Sequence, residues 1–352
     1  MKKFLTIVGN RPQLIKLDKN FKQVLVYTGQ HYDECLKDVF FTGLDIPRPD
    51  YDLRATELGE MTDKIMAVID QEQPQYVIVY GDTRSTLAGA MAALYKNIPL
   101  IHIEAGCRSF NDKMIEERIR TIVDEIAIIH FTPSLQCKEY LERDYKKVTV
   151  YNVGATQIDA MYSTFPTTKP KDAYQYIVAT IHREENTDRE TLSQLIKTLG
   201  KSNKEVRLYC HPRTKKLLEN IDFYGSVKVL DPLPYKEMIN AIAFADKVVT
   251  DSGGLQVEAF FLKRPCITLR NETEWTETVE QGWNYLVGTD EAKILKYLNA
   301  ELPRGKGDLY VYGGGDARLK ISTILKNLWW KFIYEYRQWL IAVSVIIGNG
   351  YH

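Results

Sequence analysis

Residues 251–258 read Asp-Ser-Gly-Gly-Leu-Gln-Val-Glu and follow the apolar run at 247–250. A strand that ends here, a serine, two glycines and then a helix make an anion site. Ser252 caps the helix, Gly253 and Gly254 let a phosphate approach the backbone, and the first-turn amides are free to bind it. Glu258 stands one turn further on, placed to accept a hydrogen bond from a sugar hydroxyl. An ordinary strand-to-helix turn has the same spelling, so the other loops have to discriminate. Gly9-Asn10-Arg11-Pro12 follows the first apolar run, with Lys16 on the next helical turn, so Arg11 and Lys16 are expected to face a diphosphate. Gly81-Asp82-Thr83, Glu104-Ala105-Gly106, His182-Arg183-Glu184, His211-Pro212 and Arg270 each follow a run of the same kind. Each alone has a structural reading: Asp82 as a helix cap, Glu104 as the partner of Arg108, Glu116 and Glu117 on a solvated helix face, His182 as a packed histidine. As a set they share one edge of two sheets. They combine carboxylates, cations and a glycine-rich cradle, which suits acid/base work on a substrate with a diphosphate leaving group.

The elements that must hold these loops are short and regular. Apolar runs at 4–8, 23–27, 76–80, 100–103, 128–131 and 148–151 alternate with helical patterns at 62–71, 86–96 and 116–126. The rhythm restarts at 176–181, 206–210, 227–230, 247–250, 266–269 and 285–287. This is the β-α alternation of doubly wound parallel sheets. The Pro-, Thr- and Lys-rich stretch 163–172 reads as a linker. The expected division is an N-terminal unit over 1–165 that carries the acids, a second unit over 172–325 that carries the anion site, and a tail over 326–352. Ligands of such sheets sit at the carboxyl ends of the strands.

Length and charge narrow the function classes. The 352 residues suffice for two α/β domains. Lys plus Arg and Asp plus Glu both total 46, so no basic excess points to nucleic acid. The five cysteines have no C-x-x-C spacing and read as reduced thiols of a cytoplasmic protein rather than a disulfide frame or zinc site. The first apolar run stops at Gly9, too short for a signal peptide, and reads as a strand. No G-x-G-x-x-G follows it, and no Walker A, G-x-S-x-G or H-E-x-x-H motif occurs. Residues 329–347 read WWKFIYEYRQWLIAVSVII. The apolar part is far short of the roughly 20 residues that span a bilayer. A final amphipathic helix on the body is expected, with contact at a membrane surface as the alternative.

The ordered series GNRPQLIK, TGQHYD, GDTRSTLAGA, HIEAGCRSF, ATIHREEN, HPRT, DPLPY, TDSGGLQVEA and LRNETEW resembles the signatures of the UDP-N-acetylglucosamine 2-epimerase family over roughly residues 1–325. GNRPQ, TGQHYD and TEWTE look closer to the branch that acts on diacetamido-glucuronate sugar nucleotides. The resemblance implies an α/β, GT-B-like fold: two Rossmann-type doubly wound parallel-sheet domains facing across a cleft. It implies Asp82, Glu104 and Glu117 around the sugar, with His182 among the catalytic residues. Arg11, Lys16, His211, Ser252, Gly253, Gly254, Glu258 and Arg270 would bind substrate, Glu258 on the ribose, with Leu233 and Met238 lining the uracil pocket. The implied reaction is elimination of UDP to a glycal and re-addition after protonation at C2, with no cofactor or metal and a homodimer as the assembly. A hydrolysing epimerase and a GT-B glycosyltransferase are the alternatives. Crowded carboxylates repel, which favours a protonated acid among them. The chain departs from the family at Ile119, where the family has Asn, and at Val257, where many members have an acid.

Overall fold

The computed structural model describes residues 3–18, 21–29, 47–146, 148–164, 169–210, 212–218, 225–303 and 305–328. Its central strands are unbroken apolar runs, and the reason is burial on both faces. β1 (Phe4–Val8), β4 (Tyr76–Tyr80), β5 (Leu100–Ile103), β8 (Tyr176–Thr180) and β11 (Lys247–Thr250) are buried at every residue. A strand covered by helices on both sides reads as a continuous apolar run rather than an alternating one.

With β2 (Gln23–Tyr27), β3 (Tyr51–Asp52), β6 (Ile129–Thr132) and β7 (Thr149–Asn152), the first sheet has the order β3-β2-β1-β4-β5-β6-β7. The second adds β9 (Glu205–Tyr209), β10 (Val227–Leu230), β12 (Cys266–Thr268) and β13 (Asn284–Leu286) in the order β10-β9-β8-β11-β12-β13. All pairings are parallel; Leu5 lies between Val24 and Val77, and Val248 between Val178 and Cys266. The strand order reverses between β1 and β4 and again between β8 and β11. Those two switch points are where the loops diverge and a ligand fits. Strand edges differ by a residue from the expected ones. The two-residue β3 was not anticipated, because so short a run carries no periodicity.

Six helices among the described residues accompany the first sheet. α1 (Arg11–Lys16) is capped by Asn10 and carries Pro12 in its first turn. α2 (Leu58–Glu72) buries Met61, Ile65, Val68 and Ile69, one face of a helix. α3 (Arg84–Tyr95) opens on a Thr83–Thr86 capping box. Its Gly89 lies so close to the sheet that a Cβ would meet Val79 Cγ1 at 2.8 Å. α4 (Ile115–Ile126), α5 (Leu135–Asp144) and α6 (Thr156–Tyr162) complete this half. In the second half α7 (Glu184–Thr187), α8 (Arg189–Leu199), α9 (Pro212–Leu218), α10 (Tyr235–Ala243), α11 (Gly253–Phe261), α12 (Thr276–Glu280) and α13 (Glu291–Leu298) follow.

The last helix among the described residues, 317–328, packs on the first sheet. Ile321, Leu325 and Leu328 pack with Phe4, Ile78, Ile101 and Phe131 of that sheet. The short α1 leaves that face open, and the chain crosses back to cover it. Asp159 anchors the crossing by accepting from the amides of Ala317 (3.2 Å) and Arg318 (3.0 Å). Cys107, Cys137, Cys210 and Cys266 are buried and free. No helix of the described residues is long and apolar enough to cross a membrane; residues 329–352, and with them the aromatic tail, lie outside the described residues.

Candidate active site

Two neighbouring strands of the first sheet deliver carboxylates side by side. After β4 the chain turns through Gly81 (φ +60°) to Asp82, and after β5 Glu104 takes φ +69°. That left-handed value in a residue with a Cβ is strained by about 1–3 kcal/mol and typical of functional loops. Phe131 O holds the turn by accepting from the amides of Glu104 (3.0 Å) and Ala105 (3.1 Å). Gln13, buried in α1, ties the loops together: its Oε1 accepts from Gly9 N (2.7 Å), and its Nε2 donates to Tyr80 O (2.7 Å) and Thr83 Oγ1 (3.0 Å). Asp82 is not the helix cap, since Thr83 has that role.

Each acid has a cation against it. Lys16 Nζ pairs with Glu104 Oε2. Burial works to lower the ammonium's pKa, but the charges of Glu104 and Asp82 outweigh it and raise the value. Arg120 spans the other two: Nε (3.2 Å) and Nη2 reach Asp82 Oδ2, and Nη1 reaches Glu117 Oε2 at 2.7 Å. Glu117 also accepts from Ser109 N and Ser109 Oγ (both 2.8 Å) and from Phe110 N (3.3 Å). It is therefore a buried, saturated carboxylate, not part of a solvated face. Glu104 does not pair with Arg108 as one reading of the sequence had it. Arg108 instead reaches Asp124 Oδ2 (2.7 Å), whose Oδ1 faces His102 Nδ1 at 2.6 Å. Burial alone would raise the Asp124 carboxyl; His102 and Arg108 pull it down to about 2. His102 Nε2 in turn faces Gly81 O at 2.8 Å, directly behind Asp82.

The second sheet builds the anion side. Asp251, fully buried at the end of β11, accepts from the amides of His182 and Arg183 (3.0 Å each) and from Asn186 Nδ2 (3.1 Å). His182 Nδ1 lies 3.0 Å from Asp251 Oδ1, and the ring is 51% exposed. Burial favours the neutral Asp251, but His182 and the donors hold its carboxyl at about 2. Ser252 Oγ caps α11 by accepting from Leu255 N at 3.4 Å. Gln157 of α6 reaches over and donates to Gly254 O (2.8 Å) and Glu258 Oε1 (2.9 Å). Arg270 is buried with Nη2 on Glu274 Oε2 at 2.8 Å, while its Nε and Nη1 are buried without a hydrogen-bond partner. Two unpaired guanidinium nitrogens beside a capped helix N-terminus are an anion-binding arrangement. The two halves meet here. Asn111 Nδ2 donates to Glu272 Oε1 (2.9 Å), Arg270 Nη2 lies 3.7 Å from Met114 Sδ, and Thr276 Oγ1 donates to Gln136 Oε1 (2.6 Å).

The model of the UDP-N-acetylglucosamine 2-epimerase family matches residues 13–326. The chain belongs to this family. A UDP-N-acetylglucosamine 2-epimerase homologue of Methanococcus maripaludis is 40% identical, over 93% of this chain and all of its own length. A UDP-2,3-diacetamido-2,3-dideoxy-D-glucuronate 2-epimerase of Pseudomonas aeruginosa is 38% identical over the same shares. The crystal structure of the Methanocaldococcus jannaschii UDP-GlcNAc 2-epimerase in complex with UDP-GlcNAc and UDP superposes with a TM-score of 0.84 at 32% identity, over 93% of this chain and 100% of that one. Members of this epimerase family are isomerases, and the fold is the GT-B-like pair of Rossmann-type units.

In this 2-epimerase family member, then, Asp82, Glu104, Lys16 and Glu117 gather on one side, and His182, Ser252, Gly253, Gly254, Glu258 and Arg270 on the other. Lys16, expected at a diphosphate, is paired with Glu104 across the ends of α1 and β5. Leu233 and Met238 are half-buried against the same core cluster as Leu255 of α11. His211 and the side chain of Arg11 lie outside the described residues. Sequence reading missed Gln13, Arg120, Asp251, Gln157 and Glu274. Arg120 had a signal, three residues after Glu117 on one helix face, and Asp251 adjoins Ser252. Gln157 had none, since its partners are about a hundred residues away.

Proposed function

We propose that the protein inverts C2 of a UDP-2-acetamido sugar by eliminating UDP and adding it back. The C2 proton is not acidic enough to leave alone, so the C1–O bond to UDP breaks as a base takes that proton. The bonding electrons depart with UDP, and a glycal remains. UDP then re-forms the C1–O bond while an acid protonates C2 from the opposite face. Asp82 and Glu104 come from adjacent strand ends and supply the two acid/base groups, with Arg120 and Lys16 setting their positions. Glu117, saturated by hydrogen bonds, is a positioning residue that fixes Arg120. The amides of Gly253 and Gly254, the unpaired nitrogens of Arg270 and His182, oriented by Asp251, take up the charge on UDP.

One observation carries this reading: a buried guanidinium with two unpartnered nitrogens at the start of α11 stands in the contact zone of the two units, opposite a pair of strand-end carboxylates. The Pseudomonas relative keeps the diacetamido-glucuronate nucleotide beside UDP-GlcNAc as a substrate to be tried. The test is incubation with each UDP sugar in deuterated water, followed by NMR. Deuterium at C2 of a UDP-linked epimer is expected. Epimer formed with its original C2 proton would overturn the elimination, and release of the free amino sugar with UDP would identify a hydrolysing enzyme instead.

A further inference from the structure

A carboxylate is an unexpected neighbour for a diphosphate, yet Glu274 stands inside this site. Its side chain is 9% exposed and its Oε2 accepts from Arg270 Nη2 at 2.8 Å. Its other oxygen lies over the first residue of α11, because a Cβ built on Gly253 would collide with it. The segment that carries Glu274 is clamped to α11. Thr273 Oγ1 donates to Gln256 Oε1 (2.6 Å), and Trp275 N donates to Thr273 Oγ1 (3.1 Å). Arg120 of the first unit and Arg183 of the second lie within its electrostatic reach; although burial favours the neutral acid, Arg270 and these two hold the carboxyl at about 2. Glu274 is therefore a fixed negative charge, and a phosphate seated on the amides of Gly253 and Gly254 would come up against it.

We propose that Glu274 is a built-in counter-charge that limits how tightly the site holds free UDP relative to the UDP sugar. The inference rests on the reading of this site as a UDP site. Breaking the C1–O bond leaves UDP with one more negative charge than its sugar diester carries. Arg270, His182 and a helix terminus would then grip free UDP more firmly than the substrate, and a leaving group bound that well would be slow to return to C1. A carboxylate in contact with the phosphate opposes this, and does so most for the more highly charged species.

Calorimetric titration of UDP and UDP-GlcNAc into the wild type, E274Q and E274D, with turnover measured on each, tests this. E274Q is expected to bind UDP about tenfold tighter than the wild type and UDP-GlcNAc by a smaller factor, with kcat and KM both lowered. E274D keeps the charge and is expected to stay within about threefold of the wild type for UDP. Because a buried residue is altered, melting curves with and without UDP accompany the titrations, and UDP should raise the Tm of E274Q more than that of the wild type. UDP affinity that is unchanged or weaker in E274Q, with wild-type UDP binding intact, overturns the counter-charge alone. A wild type that neither binds UDP nor turns over any UDP sugar overturns the functional reading, and this inference with it.

Discussion

Replacing Asp251 by Asn separates a histidine used in chemistry from one that merely packs. The wild-type carboxylate is fully buried and receives the amides of His182 and Arg183, Asn186 Nδ2 and His182 Nδ1. With its carboxyl held at about 2 against about 3.9 in an unfolded chain, the interaction is worth about 2.5 kcal/mol at neutral pH. The sign follows from the downward shift. The stabilisation is complete above the unfolded value and is lost as the pH falls towards the folded one. An amide at 251 keeps one acceptor and turns a second donor toward the N–H groups. The expected result is a melting temperature of the second unit about 5–10 °C lower at pH 7. That gap should persist to about pH 5 and close between about pH 4 and 2. On the proposed function Asp251 acts through His182, so D251N and H182A should each lower kcat by about 10²-fold, and the double variant no further than the weaker single. Calorimetric melts across the pH range and NMR-followed epimer formation measure both. A D251N enzyme with wild-type kcat, or a stability gap that widens on acidification, would refute the assignment.

Three further substitutions probe the framework. Leu325→Ala empties a fully buried position of the last helix and should destabilise the first unit by about 2–5 kcal/mol; a change confined to the second unit's unfolding transition contradicts the crossing. In Gly89→Ala the new Cβ would sit 2.8 Å from Val79 Cγ1 and 3.1 Å from Ile7 Cγ1. Overpacking of about 1–3 kcal/mol should exceed the roughly 1 kcal/mol that alanine gains in a helix, so a higher melting point would count against it. Arg120→Lys replaces a fork that bridges Asp82 and Glu117 with a single ammonium. It should lower kcat at least about tenfold while KM changes little, and steady-state kinetics at the wild-type rate would show that the bridge is dispensable.

The strands, the two sheets and the loops that carry the polar residues were legible in the sequence for a local reason. A parallel strand buried on both faces must be spelled as an unbroken apolar run, and Ser252 with its two glycines spells a capped helix start whatever lies around it. The pairings were not legible. Lys16 meets Glu104 across 88 residues, Arg120 meets Asp82 across 38 and Gln157 meets Glu258 across 101. Such contacts exist only because the strand order sets β1, β4 and β5 next to one another and because the two units touch. The last helix likewise carries an amphipathic pattern that does not name the sheet it will cover; the open face beside the short α1 decides that. By itself the sequence determined which residues line strand ends and what kinds of charge they bring there. Only the tertiary structure decided which acid faces which cation, left Arg270 with unpaired nitrogens and set Glu274 against the helix start, because charge pairing depends on distance in space and the chain order does not contain it.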